Sequence, residues 1–469
     1  MKHKRDVPTT ASAENEPCGD VLLAHHDRDL CDEVGQQLAQ RRNVLVAFSG
    51  GLDSTVLLDT LARLRHSRIP DLALRAIYIH HGLSVNADTW ADHCQRQCEL
   101  RQVDYQMVKV SLDAANGGIE AAARSARYHA LQRALLPGET LLTAQHLDDQ
   151  SETLLLALKR GSGPAGLSSM AESSLCGQHE LLRPLLGVSR AQLSDYAECR
   201  QLTWIEDDSN RDPRFDRNFL RLQILPLLKQ RWPHFSRAAA RSAQLCAEQE
   251  ALLDELLEES LRHLTQADGS LDLAPMMTMG SARRGALIRR WLAAAGVRMP
   301  SQDQLSRLWN EVVLSRPDAA AQWVLADRQI RRFRQRLFIL PLQLPPLSEQ
   351  VLEWPNNTTS LMLPQTLGTL RLAAPGQTVR APTARERVTV RFGAHGVLHI
   401  VGRVHGRSLK KIWQEQDIAP WQRERTPLLY YNEQLIMAPG IFVTQEGQAR
   451  EGGEIWQVEW VPVNSTDGQ

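Results

Sequence analysis

From Asn43 to Ala144 the apolar positions keep changing their period. The continuous run "NVLVA" leads into "STVLLDTLARL", which is apolar at three- and four-residue spacing. "LALRAIYI" precedes a helical pattern around Trp90 to Leu100, "YQMVKVSL" precedes the alanine-rich "IEAAARSARYHALQRALL", and "TLLTA" closes the series. Short, continuously apolar β-rich runs suit a sheet covered on both faces, and their alternation with helices predicts βαβ units around a parallel sheet. Sheets of this kind take ligands at the carboxyl ends of their strands. Three polar clusters fall there: "SGGLDS" at 49–54, "HHGLS" at 80–84 and "QHLDDQSET" at 145–153.

Beyond "RWPHF" at 231–235 the pattern becomes helical, and a second helical piece, "SARRGALIRRWLAAAG", ends at Gly296. "AQWVLADRQIRRFRQRLFILPL" reads as a strand pair, and the proline-rich "LPLQLPPLSE" as a linker. The remainder has short β-rich runs and one helix-like stretch, "SLKKIWQEQ". The expected architecture is α/β: a mobile tail over 1–24, a Rossmann-like parallel-sheet nucleotide-binding domain over 25–228, a mainly helical domain over 229–345, and a small β-rich α+β domain over 346–469.

Composition adds little to the fold and something to the setting. A length of 469 residues suits about three domains, and 43% apolar with 23% charged residues is ordinary for a soluble globular chain. No apolar run approaches the ~20 residues that cross a bilayer, and the polar first twenty residues do not form a secretory signal. Seven irregularly spaced cysteines make neither a disulfide framework nor a zinc knuckle, which points to the cytoplasm. Cys94 and Cys98, one helical turn apart, read as half-buried helix residues. With 54 basic against 54 acidic residues, an anionic macromolecule must be met by local patches. The densest runs through Arg328, Arg331, Arg332, Arg334 and Arg336; "RDPRFDRNFLR" and "RSLKK" are others.

Two glycines between a strand and a helix leave backbone N–H groups pointing outward at the positive end of the helix dipole, where an anion fits. Ser49 and Ser54 can add hydroxyl donors. The loop lacks the ending of a Walker loop and the third glycine of a dinucleotide fingerprint. It carries Asp53, which suits a divalent cation shared between carboxylate and phosphate. A plain strand–turn–helix with a serine cap would use the same residues. In "IEAAARSARYHAL", Glu120, Arg124 and Arg127 share a helix face, as a surface pair or as an arginine aimed at phosphate. A helix starting near His146 puts His146, Asp149 and Glu152 on one side, as caps or as a site for magnesium and an ammonium group. His80 ends a strand beside the loop, lining a nucleotide pocket or packing.

"SGGLDS", "EAAARSARY", "HLDDQSET", "KRGSGPAGLSSM", "RPLL" and "IEDDSNRDPRFDRNFLR" occur in the order and approximate spacing of the tRNA(Ile)-lysidine synthetase family. That family belongs to the N-type ATP pyrophosphatases of the PP-loop superfamily, and "RSLKKIWQEQDIAPWQRERTPLL" resembles its C-terminal domain. The resemblance implies ATP and magnesium as cofactors, and adenylation of the wobble cytidine of a tRNA(Ile) with a CAU anticodon. The ε-amine of free lysine then displaces AMP. It further implies ATP binding by Ser49, Gly50, Gly51, Leu52, Asp53, Ser54, His80 and His146, and metal at Asp53 and Asp148. Arg124 falls to the α-phosphate, Asp149 and Glu152 to the amine, and Arg217, Asn218 and Arg221 to positions near the site. A homodimer is allowed. Two other readings stand beside it: a tRNA thiolase of the same superfamily, and a nucleotide-binding regulatory module without chemistry.

Overall fold

The computed structural model describes residues 30–82, 86–111, 119–316, 319, 321–343, 345–355 and 357–462, without the side chains of 119–121, 208 and 209. The expected tail, Ser84 and the side chain of Glu120 lie outside the described residues. The chain divides into two compact units, Met1–Glu258 and Glu259–Gln469.

The first unit is built on β1 (Asn43–Ala47), α1 (Leu52–Ser67), β2 (Ala73–His80), α2 (Ala87–Leu100), β3 (Asp104–Lys109), α3 (Ile119–Ala134), β4 (Thr140–Leu142) and α4 (Leu147–Lys159). β5 (Ser173–Cys176), β6 (His179–Leu182) and α5 (Arg190–Cys199) follow. The sheet order is β3-β2-β1-β4-β6-β5, with every pair parallel except β5 against β6. The antiparallel edge hairpin departs from the all-parallel expectation; its four-residue strands are too short and polar to show a period.

β1 is apolar throughout because it is buried on both sides. Val44 and Val46 join the core formed with α1, α2 and α5, whereas Leu45 faces the opposite core with Leu131 of α3 and Leu135 just beyond it. Burying such side chains contributes about 1.5–3 kcal/mol each, which holds the strand's carboxyl end, and so the glycine loop, at a fixed height. α6 (Asp216–Phe219), a wide π-type turn (Leu220–Ile224) and α7 (Leu225–Arg231) continue the unit into the long α8 (Phe235–Leu264).

In the second unit β7 (Leu271–Asp272) precedes α9 (Ser281–Ala294) and α10 (Gln302–Arg307). The expected strand pair is a meander of three: β8 (Gln322–Leu325), β9 (Arg328–Phe333) and β10 (Arg336–Pro341), in the order β7-β10-β9-β8. Its turns place Ala326 at φ +53° and Arg334 at φ +55°, so no glycine marks them. The arginines of this run are engaged within the unit. Arg332 donates to the carbonyls of Val313 and Arg316, Arg331 to Gln329 and Gln322, and Arg334 is paired with Asp417. Trp421 packs edge-on against Phe333 and Phe338, with the Arg331 guanidinium 5.9 Å from its ring centre. The remainder is β-rich, with five-stranded and three-stranded sheets and the helix Leu409–Glu415.

Candidate functional site

The loop after β1 is shaped by two different demands. Gly50 stands at φ +77°, and a Cβ there would meet Ile205 Cδ1 at 2.6 Å and Cys94 Sγ at 2.8 Å. Ile205 also donates its N–H to Gly50 O at 2.8 Å, clasping the loop. A Cβ on Gly51 would find only ordinary contacts, Ser49 Oγ at 3.6 Å and Ile205 O at 3.9 Å. Protein packing therefore accounts for the first glycine and leaves the second to something that approaches from outside.

Gly51 is the N-cap of α1, and no side chain caps that helix. Among the described residues no acceptor meets the N–H groups of Leu52, Asp53 and Ser54. Ser49 and Ser54 lie with their hydroxyls 3.1 Å apart. Amides without acceptors, a dipole's positive end and two hydroxyls, of which Ser54 Oγ also reaches Gly51 O at 3.0 Å, form an anion cradle at the carboxyl edge of the sheet.

α4 begins in the opposite way. His146 Nδ1 accepts the N–H of Asp148 at 3.2 Å, and Asp149 Oδ2 accepts the N–H of His146 at 3.1 Å, a reciprocal capping box. The N–H of Leu147 donates to Val188 O at 2.9 Å. Because Nδ1 is an acceptor, the proton of the neutral ring sits on Nε2. Nε2 lies 3.7 Å from Asp53 Oδ2 and 3.6 Å from Asp149 Oδ2 without a hydrogen bond to either. His146 thus brings the acid of the glycine loop and the acid of α4 to a common point.

Glu152 is fully buried and is gripped by Arg221: Nε to Oε1 at 2.7 Å and Nη2 to Oε2 at 3.0 Å. The same Nη2 reaches Asp149 Oδ1 at 2.8 Å, and Arg217 Nε is 3.8 Å from Glu152. Arg221 lies in the wide turn ahead of Pro226, whose missing N–H cannot serve the carbonyl four residues back; such turns often sit at functional positions. Burial pushes the Glu152 carboxyl above its ordinary range, against the pull of Arg221. Asp53 is raised too, by burial first, against His146 and Arg190. Both acids are therefore better proton acceptors than exposed carboxylates.

Sequence reading had assigned no role to Arg190, which follows the N-cap Ser189 of α5. Its Nη1 is 2.9 Å from Asp53 Oδ2, and its backbone N–H donates to Asp148 Oδ2 at 2.9 Å. Asp148, expected beside magnesium, accepts from three donors: Lys229 Nζ at 2.6 Å and Ser236 Oγ at 2.7 Å on Oδ1, and the Arg190 backbone N–H at 2.9 Å on Oδ2. Burial would raise the Asp148 carboxyl, but these donors together hold it below its usual value. A cavity of ≈ 360 Å³ opens beside these groups, lined by His146, Asp148, Arg190, Arg221, Leu225, Pro226 and Lys229. No local signal marks Arg190, Lys229 or Ser236, since each meets its acid across a long stretch of chain.

Arg124 is exposed on α3, its guanidinium 5.1 Å from the Tyr128 ring centre. Among the described residues it makes no hydrogen bond or ion pair with Asp53, Asp149 or Glu152. Arg127 feels the like charge of Arg217, whose Nε lies 3.8 Å from Glu152 Oε2. His80 is buried at the end of β2 with Nε2 3.2 Å from Asp88 Oδ1. Asn218 donates to Asp212 O at 3.0 Å. Cys94 and Cys98 are wholly buried rather than half-buried, and burial pushes both thiols up, Cys98 to about 12.

No group of three or more His, Cys, Asp or Glu able to hold a metal occurs among the described residues. A fit to magnesium rests instead on Asp53 Oδ1, a buried carboxylate oxygen with no hydrogen-bond partner beside the phosphate cradle. Magnesium is commonly held by one or two carboxylates together with substrate phosphates.

Residues 22–228 match the PP-loop domain family, 271–338 the TilS substrate binding domain, and 388–460 the TilS substrate C-terminal domain. The tRNA(Ile)-lysidine synthase of Pectobacterium atrosepticum is 59% identical over 434 residues, covering 92% of this chain and 98% of the relative. Its counterpart in Edwardsiella ictaluri is 56% identical over 432 residues, at 92% and 98% coverage, and that of Serratia proteamaculans 56% over 435, at 93% and 99%. The PP-loop domain implies ATP binding, and no helix among the described residues is long and apolar enough to cross a membrane. Three family domains in one order and this identity along almost the whole chain place it in one group: the chain belongs to the tRNA(Ile)-lysidine synthase family.

Proposed function

We propose that this chain adenylates the carbonyl oxygen at carbon 2 of the wobble cytidine in a tRNA(Ile) with a CAU anticodon, and then joins free L-lysine to that carbon. ATP yields AMP and diphosphate. The product, lysidine, changes codon reading from AUG to AUA and identity from methionine to isoleucine. The observation that carries this reading is the convergence of an uncapped glycine loop with the acids of α4 at one edge of the sheet.

A cytosine carbonyl is a poor electrophile, and its oxygen a poor leaving group. In the first step that oxygen attacks the α-phosphorus and diphosphate departs. In the second the amine nitrogen attacks carbon 2, AMP leaves with the oxygen, and the amine gives up a proton. The amides of 52–54, with the hydroxyls of Ser49 and Ser54, hold the phosphates. Magnesium, when bound, neutralises phosphate charge, and Asp53 is an acid that holds it. Asp148, which accepts from Lys229, Ser236 and the Arg190 N–H, fixes the start of α4 and would stand beside Asp53 as the second acid for the metal.

Lysine arrives almost wholly protonated, its side-chain pKa being about 10.4. Asp149 and Glu152 receive the ammonium and, with carboxyls raised by burial in the case of Glu152, accept its proton. Arg221, hydrogen-bonded to both acids, yields to the incoming amine. Arg124 retains its assignment to the α-phosphate, with Arg127 as the neighbouring donor. For the tRNA backbone we favour Lys410 and Lys411, exposed on Leu409–Glu415, over the engaged arginines of β9. The work is cytoplasmic, and a homodimer is compatible with it.

The experiment is transfer of labelled lysine to unfractionated tRNA with ATP, followed by identification of the labelled nucleotide. Label in a modified cytidine at the wobble position supports the reading; ATP-dependent AMP formation without lysine incorporation in any tRNA refutes it.

A further inference from the structure

Asp53 is half satisfied. One oxygen is 2.9 Å from Arg190 Nη1, while the other is buried and has no partner. Arg190 itself is fixed at one end and loose at the other. Its backbone is locked by the N–H to Asp148 Oδ2 and by the capping box of Ser189 and Gln192. Its side chain is 43% exposed, lines the cavity beside the loop, and makes a single hydrogen bond among the described residues. A guanidinium carries five donors in a planar fork that matches phosphate oxygens in pairs.

We propose that Arg190 is a displaceable counter-cation, neutralising Asp53 in the empty enzyme and turning its fork onto the triphosphate when a divalent cation takes its place. This rests on the reading of Asp53 as the metal-holding acid. The physical reason is charge balance. A partly buried carboxylate beside Asp149 is costly without a cation, yet a fixed ion pair would exclude the metal. A long side chain on a pinned backbone solves both problems, because it can exchange one anion for another without moving α5.

The test uses the full chain and two probes: Mn2+ alone, followed by water-proton relaxation, and a non-hydrolysable ATP analogue with magnesium, followed by calorimetry. Arg190→Ala should bind Mn2+ about tenfold more tightly than the native chain, because Asp53 loses its competitor, and bind the analogue about tenfold more weakly. Arg190→Lys keeps the charge but not the fork, so it should leave Mn2+ affinity near the native value and still weaken the analogue. Asp53→Asn should abolish the Mn2+ gain of Arg190→Ala. Unchanged or weaker Mn2+ binding in a folded Arg190→Ala protein overturns the proposal, and so does unchanged analogue affinity. If the native chain bound neither probe, the failure would lie with the reading of Asp53 and the loop.

Discussion

α1 and α4 start side by side at the same sheet edge and treat their first-turn amides in opposite ways. At α4 each one is met from within the protein, by Val188, by the His146 ring and by the His146 carbonyl, and the cap is reinforced by Asp149. At α1 a glycine stands where the cap would be, and the amides of 52–54 find no acceptor among the described residues. Both helices offer the same dipole, so what distinguishes an anion site from a structural helix start is whether the chain answers its own donors. The closed start has its own use, since capping fixes His146 and Asp149 opposite Asp53.

This contrast can be broken in several places. The largest effect should come from Asp149→Ala or Glu152→Ala, which removes an acceptor of the amine and leaves Arg221 under-paired. Lysine transfer should fall by about a thousandfold or more, as measured with labelled lysine and tRNA. Near-native turnover in either variant would end the assignment of that acid.

Substitution of the two glycines should separate function from packing. Gly51→Ala meets only ordinary contacts, so its thermal unfolding should match the native chain while ATP-dependent AMP formation drops about a hundredfold. Gly50→Ala must accept a positive φ and a clash with Ile205 and Cys94, and should lose about 1–3 kcal/mol of stability in denaturant titration. Equal stability losses at the two positions would show that packing, not a ligand, sets both.

At the closed start, His146→Ala deletes the cap and should cost about 1 kcal/mol of stability, whereas His146→Asn, which can still accept the N–H of Asp148, should recover most of it. If both lose equally, the cap is not what the ring contributes to stability.

The smallest effect is one of pH. The Asp148 carboxyl is held below its ordinary value of about 3.9, so its contribution is present above that pH and is lost as pH falls through the lowered value. Lys229→Met removes one of the groups that lower it. The stability gap between native and variant proteins should therefore be widest near neutrality and narrow below about pH 4; a gap that stayed constant on acidification would show that Lys229 acts by packing alone.

Much of this was legible in the sequence because it is written locally. Three polar clusters each follow an apolar run, and the rule that ligands sit at carboxyl ends predicts their convergence without any contact being known. Family motifs then supplied the chemistry. What sequence could not show is who pairs with whom. Arg190 meets Asp53 across 137 positions and Arg221 meets Glu152 across 69, distances at which no periodicity speaks. The same blindness made the arginine run of β9 and its following turn look free, because Arg332 meets the carbonyls of Val313 and Arg316 and Arg334 meets the carboxylate of Asp417. Turns at Ala326 and Arg334 hid a third strand, since neither uses the residues by which left-handed turns are recognised.

Backbone amide hydrogen exchange across 50–55 and 147–150, with and without ATP and magnesium, addresses the difference between the two helix starts most directly. The account predicts fast exchange at 52–54 that slows on nucleotide binding, and slow exchange at 147–150 in both conditions. Amides at 52–54 that are protected in the empty enzyme, or indifferent to ATP, would contradict it.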